Sequence, residues 1–433
     1  MFFFQAFIFL ISIILLSFSI VGHGTMITRN LKTNFCIDLF FGLIVITLVV
    51  TIFHFFFKIN FLFNIFLFLS GLILFFQSST YIHYKNFKKI DLKNLIIILI
   101  LVPMYISQKY HEDFGYYHLP YALTFLEEKI AFGFANINNS YIYNSIWLNL
   151  ISVFFLRDKN YDFLTLPSFI LFVFFIIFLI RNLYKDKISK ISDYYLLIVL
   201  FYFILKFTRI SEFGIDTPAI IFSILGIYYF LKYFDSNEIS EKKTFFFYNL
   251  AFSIFSILIK LSTAPIIILT IYLYFKNFKD IKFYIFNYRF LFIYFLFIVF
   301  FIQQFIYTGC LFFPTSLTCF DVSWFDEGNT ALQKKLELIN KSYVIAKDIY
   351  LPDEYLKNFN WFPHWLDRNY VEISEHLLTM FVPTVIFLFF LKKNEENKVQ
   401  FYGKKFFSFF IFLSLFFWLY FSPVYRFGVY IFI

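Results

Sequence analysis

Apolar residues run along this chain in long unbroken blocks, separated by short polar connections and two longer polar stretches. The blocks cover 2–21, 35–57, 60–82, 94–108, 163–180, 193–208, 216–231, 244–260, 262–275, 288–307, 376–391 and 405–421, and a final one starts near 427. Many approach the roughly 17–25 apolar residues that an α-helix needs to cross hydrocarbon. The pattern predicts an all-α fold, a polytopic transmembrane helix bundle of about 12–13 spans. Interfacial helices and one larger outer loop complete it. The division follows the pattern: N-terminal spans over 1–108, a motif loop with interfacial helices over 109–162, and central spans over 163–307. The outer loop covers 308–375 and the C-terminal spans 376–433. The last run is cut short at Ile433, as in a fragment. Met1 to Val21 lacks the basic start and small-residue cleavage site of a signal peptide and is read as the first span.

Lysine and arginine give the connections a side. Arg29 and Lys32 mark one connection. So do Lys85, Lys88, Lys89 and Lys93, then Arg181, Lys185, Lys187 and Lys190. Lys232, Lys242 and Lys243 follow, then Lys276, Lys279 and Lys282, and finally Lys392, Lys393, Lys398, Lys404 and Lys405. With the spans above, all fall on one face, which the positive-inside rule makes cytoplasmic. The other face then receives 109–162, 209–215, a tight turn near 261, 308–375 and 422–426. The sequence therefore predicts a multi-pass protein of the cytoplasmic (inner) membrane whose chemistry sits on the outer, periplasmic face.

Composition agrees. The chain is 61% hydrophobic, above the 45–50% of soluble domains. Its 76 phenylalanines suit lipid-facing helices and an AT-rich coding sequence, so they carry no functional weight as a class. The formal charge of +9 reports topology here. No nucleic-acid module, Gly-rich phosphate loop or coiled-coil heptad is present, and nucleic acid is excluded as a partner.

The candidate chemistry is concentrated on the outer segments. His111 to Tyr121 reads H-E-D-F-G-Y-Y-H-L-P-Y. Ionisable groups beside a bilayer are expensive unless solvated or paired. Asp113 and Glu112 are candidate general bases, since a low-dielectric boundary raises a carboxylate toward a useful pKa. His111, His118 and Tyr117 are candidate substrate contacts. A solvated interfacial loop is the competing reading. The seven-residue spacing of the two histidines matches no strong zinc signature. No metal site or cofactor is called, although a divalent ion is compatible with the carboxylates. Leu119 to Phe132 reads as an amphipathic interfacial helix, and Ile146 to Leu156 as a second interfacial or packed helix.

Further along, Arg209 and Glu212 are site candidates, and Asp216 or Thr217 is a helix N-cap ahead of Pro218. Lys260 either snorkels or holds phosphate. Cys310 and Cys319 have the spacing of a disulfide on the oxidising side. Trp361, His364 and Trp365 suit either a sugar ring or a headgroup anchor. Arg426, in S-P-V-Y-R-F-G, stands where the positive-inside bias disfavours arginine, so it either binds phosphate or forms a structural ion pair.

These pieces together resemble the GT-C class of integral-membrane glycosyltransferases. The late Pro423-x-x-Arg426-Phe427 spacing is similar to that class, and Asp113 falls in an outer loop followed by interface helices, where the class keeps its catalytic acid. The two motifs around Asp113 and Cys310–Cys319 also resemble a group of bacterial polytopic membrane proteins related to that class. Here the loop follows the fourth span, whereas the class usually places it after the first. The resemblance implies sugar transfer from a polyprenyl-phosphate lipid to an envelope acceptor, with membrane lipid and the donor lipid as partners. Asp113 would be the base, Glu112 its substitute, and Arg426, with Lys260 or Arg209, would hold the donor phosphate. Two other readings stand beside it. One is a transporter or flippase, for which His54 is the clearest ionisable residue within a span. The other is a non-catalytic assembly protein of an envelope polysaccharide system.

Overall fold

The computed structural model describes residues 2–31, 33–77, 96–97, 100–102, 113–155, 161–184, 190–205, 214–313, 315–326, 328–390 and 403–432. Among these residues the fold is all-helical, with no strand beyond one isolated bridge between Cys310 and Cys319. Among the described residues seven helices are long and apolar enough to cross a membrane by length and composition, as in a multi-pass membrane protein.

In chain order the helices used below are α1 (Phe2–Thr28), α2 (Phe35–Phe56), α3 (Phe61–Gln77), α4 (Leu119–Glu127), α5 (Ile146–Val153), α6 (Leu166–Leu183) and α7 (Ile191–Leu205). They continue with α8 (Asp216–Asp235), α9 (Ile239–Ile259), α10 (Ile267–Lys276), α11 (Tyr288–Thr308), α12 (Trp361–Phe390), α13 (Lys404–Phe421) and α14 (Tyr425–Phe432). The run expected over 94–108 falls largely outside the described residues. The run expected over 376–391 is the second half of α12, whose 30 residues begin in the aromatic Trp361–Trp365 stretch. Of the two readings for Ile146 to Leu156, the packed helix fits: every residue of α5 is buried, and it packs against α2.

Local chemistry sets the ends. Asn34 caps α2 by accepting from the Ile37 amide at 3.1 Å, and Asn287 caps α11 by accepting from Arg289 at 3.0 Å. Gly309, at φ 77°, ends α11 in the left-handed region that glycine adopts without strain. The Arg289 side chain then reaches the end of α1. Its Nε donates to the Ile27 carbonyl at 3.0 Å and its Nη2 to that of Arg29 at 2.6 Å. A cation on those last carbonyls answers the negative end of the helix and ties the N-terminal hairpin to the second half of the bundle.

Helices in lipid gain little from the hydrophobic effect against one another, so close packing and buried polar bonds must hold them. Both are present. α1, α2 and α3 pack together with Gly24 against the Asp38 carbonyl and Gly42 against that of Ile20, so close that a Cβ at either position would overlap the facing backbone. In the centre, the buried Asn149 donates through Nδ2 to Thr51 Oγ1 and to Gln303 Oε1, each at 2.9 Å. Asn144 donates to the same Gln303 oxygen at 3.2 Å, and Tyr121 donates to Asn144 Oδ1 at 2.8 Å. This network locks α2, α4, α5 and α11. Asn149→Ala removes the donor that joins Thr51 to Gln303, leaving Gln303 Oε1 to Asn144 and Thr51 to its bond with the Thr47 carbonyl. It should lower stability by about 1–2 kcal/mol, read as an earlier thermal transition in detergent.

Candidate functional site

The site starts where the H-E-D-F-G-Y-Y-H-L-P-Y motif enters the described residues, at Asp113. Phe114–His118 is a π-helical turn, closed by the Leu119 amide on the Phe114 carbonyl, and it runs directly into α4. Pro120 has no amide hydrogen, and its ring crowds the carbonyl four residues back, so a widened turn before it relieves both problems. The wide turn exposes Gly115 and Tyr116 and turns His118 inward, to 2% exposure. α4 is held from behind by the Tyr121 hydroxyl and by two backbone bonds, Ile59 amide to Phe125 carbonyl at 2.7 Å and Ile130 amide to His54 carbonyl at 3.1 Å.

Three other segments meet this turn. α8 begins at Asp216, whose carboxylate does not cap its own helix. It accepts an ion-paired hydrogen bond from Lys260 Nζ on Oδ1, and Arg426 Nε lies 3.7 Å from its Oδ2. Lys260 follows the last turn of α9, in the short break before α10. Arg426 lies in the first turn of α14. Phe427 lies under the Lys260 ammonium, 3.8 Å from ring centroid to Nζ. Asp113 acts electrostatically on Lys260, and His118 on Asp216. Tyr117 is within electrostatic reach of Asp113, Asp216 and Arg426 at once. Four segments far apart in sequence thus converge on one group of charges.

The environment sets the chemistry. Burial pulls the Lys260 ammonium below its ordinary value, and Asp216 opposes that pull. Burial pushes the Tyr117 phenol well up, Asp113 and Asp216 add to the push, and Arg426 works against it. Exposure is graded across the group: the Lys260 side chain is 16% exposed, Asp216 30% and Arg426 46%. Arg426 is therefore the open cation. Among the described residues its terminal nitrogens make no hydrogen bond, and its guanidinium carbon lies 5.3 Å from the Phe427 ring centroid; a half-exposed guanidinium suits bidentate recognition of an anion.

The turn that carries Arg426 is firmly held. Trp365 Nε1 donates to the Pro423 carbonyl at 2.7 Å and Trp418 Nε1 to that of Val424 at 2.8 Å. Asn340 donates to Ser422 Oγ at 2.9 Å, and His376 stacks on Tyr425 with centroids 3.7 Å apart. Trp361 and Trp365 are 2% and 3% exposed, so neither offers a face to a sugar or a lipid headgroup. They form a small core with Ala346 and Tyr355 that grips the Arg426 turn.

The other sequence candidates fall as follows. His364 lies 6.0 Å from the rings of Tyr350 and Tyr355 and is not brought to the Asp216 group. His111, Glu112, Arg209 and Glu212 lie outside the described residues. Cys310 and Cys319 are joined as a disulfide, and the segment that follows is docked by Asn136 Nδ2 on the Trp324 carbonyl at 2.9 Å. Among the described residues no group of three or more His, Cys, Asp or Glu is arranged to hold a metal. His54 has a structural task. Its Nε2 faces the Glu128 carbonyl at 3.1 Å, and because a carbonyl only accepts, that nitrogen carries the hydrogen; its ring stacks on Phe125.

Asp216 and His376 are the residues whose part in the site the sequence reading missed. The signal for Asp216 was available: it is a carboxylate at the very start of an apolar helix, where an uncompensated charge is costly. Nothing in the sequence marked His376.

A family model described as a domain of unknown function, DUF8201, matches residues 7–433. No curated protein and no solved structure matches the chain.

Proposed function

We propose that this chain, which belongs to the DUF8201 family, is a membrane glycosyltransferase that moves a sugar from a polyprenyl-phosphate lipid to an envelope acceptor. The observation that carries the reading is that Lys260 and Arg426 flank the Asp216 carboxylate within electrostatic reach of Asp113, which acts on Lys260. A transfer of this kind needs a base for the acceptor and cations for the leaving phosphate, close enough to serve one substrate.

In this mechanism the acceptor hydroxyl gives its proton to Asp113. Its oxygen forms a bond to the anomeric carbon, the bond from that carbon to the phosphate oxygen breaks, and the electron pair leaves on the phosphate. Arg426, the exposed cation, receives that developing charge, and Lys260 supports it from the buried side. Asp216 holds both cations in place. The work is assigned to the outer face of the cytoplasmic membrane. The asymmetric Lys/Arg distribution supports that assignment, as does the Cys310–Cys319 disulfide, a bond that persists in oxidising compartments.

The test is turnover by the full chain in liposomes carrying polyprenyl-phosphate sugars, read as released polyprenyl phosphate. Asp113→Asn should lower kcat by about 10²-fold or more with little change in donor affinity. Arg426→Gln should raise the KM for the donor lipid as well as lower kcat. Wild-type rates in Asp113→Asn would sink the mechanism.

A further inference from the structure

We propose that the end of the bundle away from Asp216 carries a binding site for the phosphate of an anionic phospholipid, held between Lys242 and Lys276 above the Tyr233 ring. This inference is independent of the glycosyl-transfer reading. Tyr233 lies on α8 about 25 Å along the axis from Asp216.

The geometry is a shared aromatic platform. Lys242 Nζ stands 5.9 Å and Lys276 Nζ 5.8 Å from the Tyr233 centroid, and Lys276 is also 4.1 Å from that of Phe234. The Tyr233 hydroxyl is pinned by its bond to Asn277 Oδ1 at 2.9 Å, so the platform is fixed. The two ammoniums feel each other as like charges. A pair of cations gathered on one ring repel unless an anion joins them.

No acidic side chain of the described residues does so. Asp280 pairs with Lys243 at 3.4 Å, Glu241 accepts from Ser236 at 2.7 Å, and Asp235 accepts from the Ser192 amide at 3.3 Å. Each nearby carboxylate is engaged elsewhere. Beside Lys276 lies an open cleft of about 490 Å³, floored by Asn277 and lined further by Lys279 and by Asp280, whose charge Lys243 offsets.

The flanking residues select a lipid over a soluble phosphate. Phe275 and Phe278 border the same cleft and are 71% and 63% exposed. Ammonium donors beside bare phenyl rings at the end of an apolar helix match a headgroup phosphate followed by acyl chains.

The test uses the full chain purified in detergent, with retained lipid measured against added phosphatidylglycerol or phosphatidylcholine. Wild type should retain phosphatidylglycerol selectively. Lys242→Gln/Lys276→Gln should weaken that retention by about thirtyfold, whereas Lys347→Gln/Lys357→Gln, which removes the same net charge elsewhere, should not. Retention unchanged in the first pair overturns the proposal. Displacement of the lipid by millimolar inorganic phosphate assigns the cations to a soluble anion and overturns the lipid. A second measurement needs no substitution: phosphatidylglycerol, and not phosphatidylcholine, should protect Lys242 and Lys276 of the wild-type chain from acylation, read by mass spectrometry. Equal labelling in both lipids overturns the proposal as well.

Discussion

Gly42→Ala should leave little folded protein. The added methyl group would lie on the carbonyl oxygen of Ile20, which belongs to the backbone of α1 and has no side-chain torsion with which to yield. The helices would have to separate along their contact. In lipid, that close contact is most of what holds them. Relieving the overlap opens space around buried neighbours such as Leu39, Leu43 and Ile46, so overpacking at one point becomes underpacking at several. A loss of at least about 3 kcal/mol follows, a large share of ordinary domain stability. The sign is informative. Alanine is the better helix former by about 1 kcal/mol, so any loss must come from between the helices. Gly24→Ala, against the Asp38 carbonyl, should behave alike. Gly115→Ala should not, since nothing lies within 4 Å of its missing Cβ. Monodisperse yield in detergent and the thermal transition of each variant decide it.

Asp216→Ala should remove both stability and function, and a second substitution should separate the two. The Asp216 carboxylate compensates Lys260, whose side chain is mostly buried. Breaking such a pair leaves a charge in a poor solvent, and partial exposure of the carboxylate reduces the effect to about 2 kcal/mol. Asp216→Ala/Lys260→Met removes the stranded charge too and should recover much of that loss. It should remain inactive in the transfer assay, because Arg426 has lost its anchor and the leaving phosphate one of its cations. If the double variant recovers turnover along with stability, the Asp216 group is a structural ion pair and the site lies elsewhere.

Much of the architecture was legible because it depends on local composition. The apolar runs and the Asn34 cap are written in contiguous residues. What escaped depends on pairing between distant segments. α12 was divided into a loop and a span because the charges from Asp367 to Glu375 interrupt its apolar pattern, and only its continuous backbone shows it to be one helix. Trp361 and Trp365 looked like a sugar platform or an anchor, as clustered aromatics beside a histidine do. Trp365 is tied to Pro423, some sixty residues on, and Trp361 packs with Ala346 and Tyr355, partners that no short window of sequence contains. The same holds for Asp216. Read locally, a carboxylate just ahead of Thr-Pro is a cap, and its partners Lys260 and Arg426 are brought to it only by the packing of α8, α9 and α14. Asp113, Lys260 and Arg426 were separate candidates in the sequence, and the fold brings them to one place.

Helix α12 also acts as a brace. Thirty residues make a rod of about 45 Å. Trp365 holds the Pro423 carbonyl by a hydrogen bond and, about three turns further on, His376 stacks on Tyr425. One continuous helix thus supports the turn ahead of Arg426 at two points. Pro383 lies beyond both contacts, so a bend there leaves the brace intact, and the guanidinium inherits the stiffness of a long rod instead of that of its own short turn.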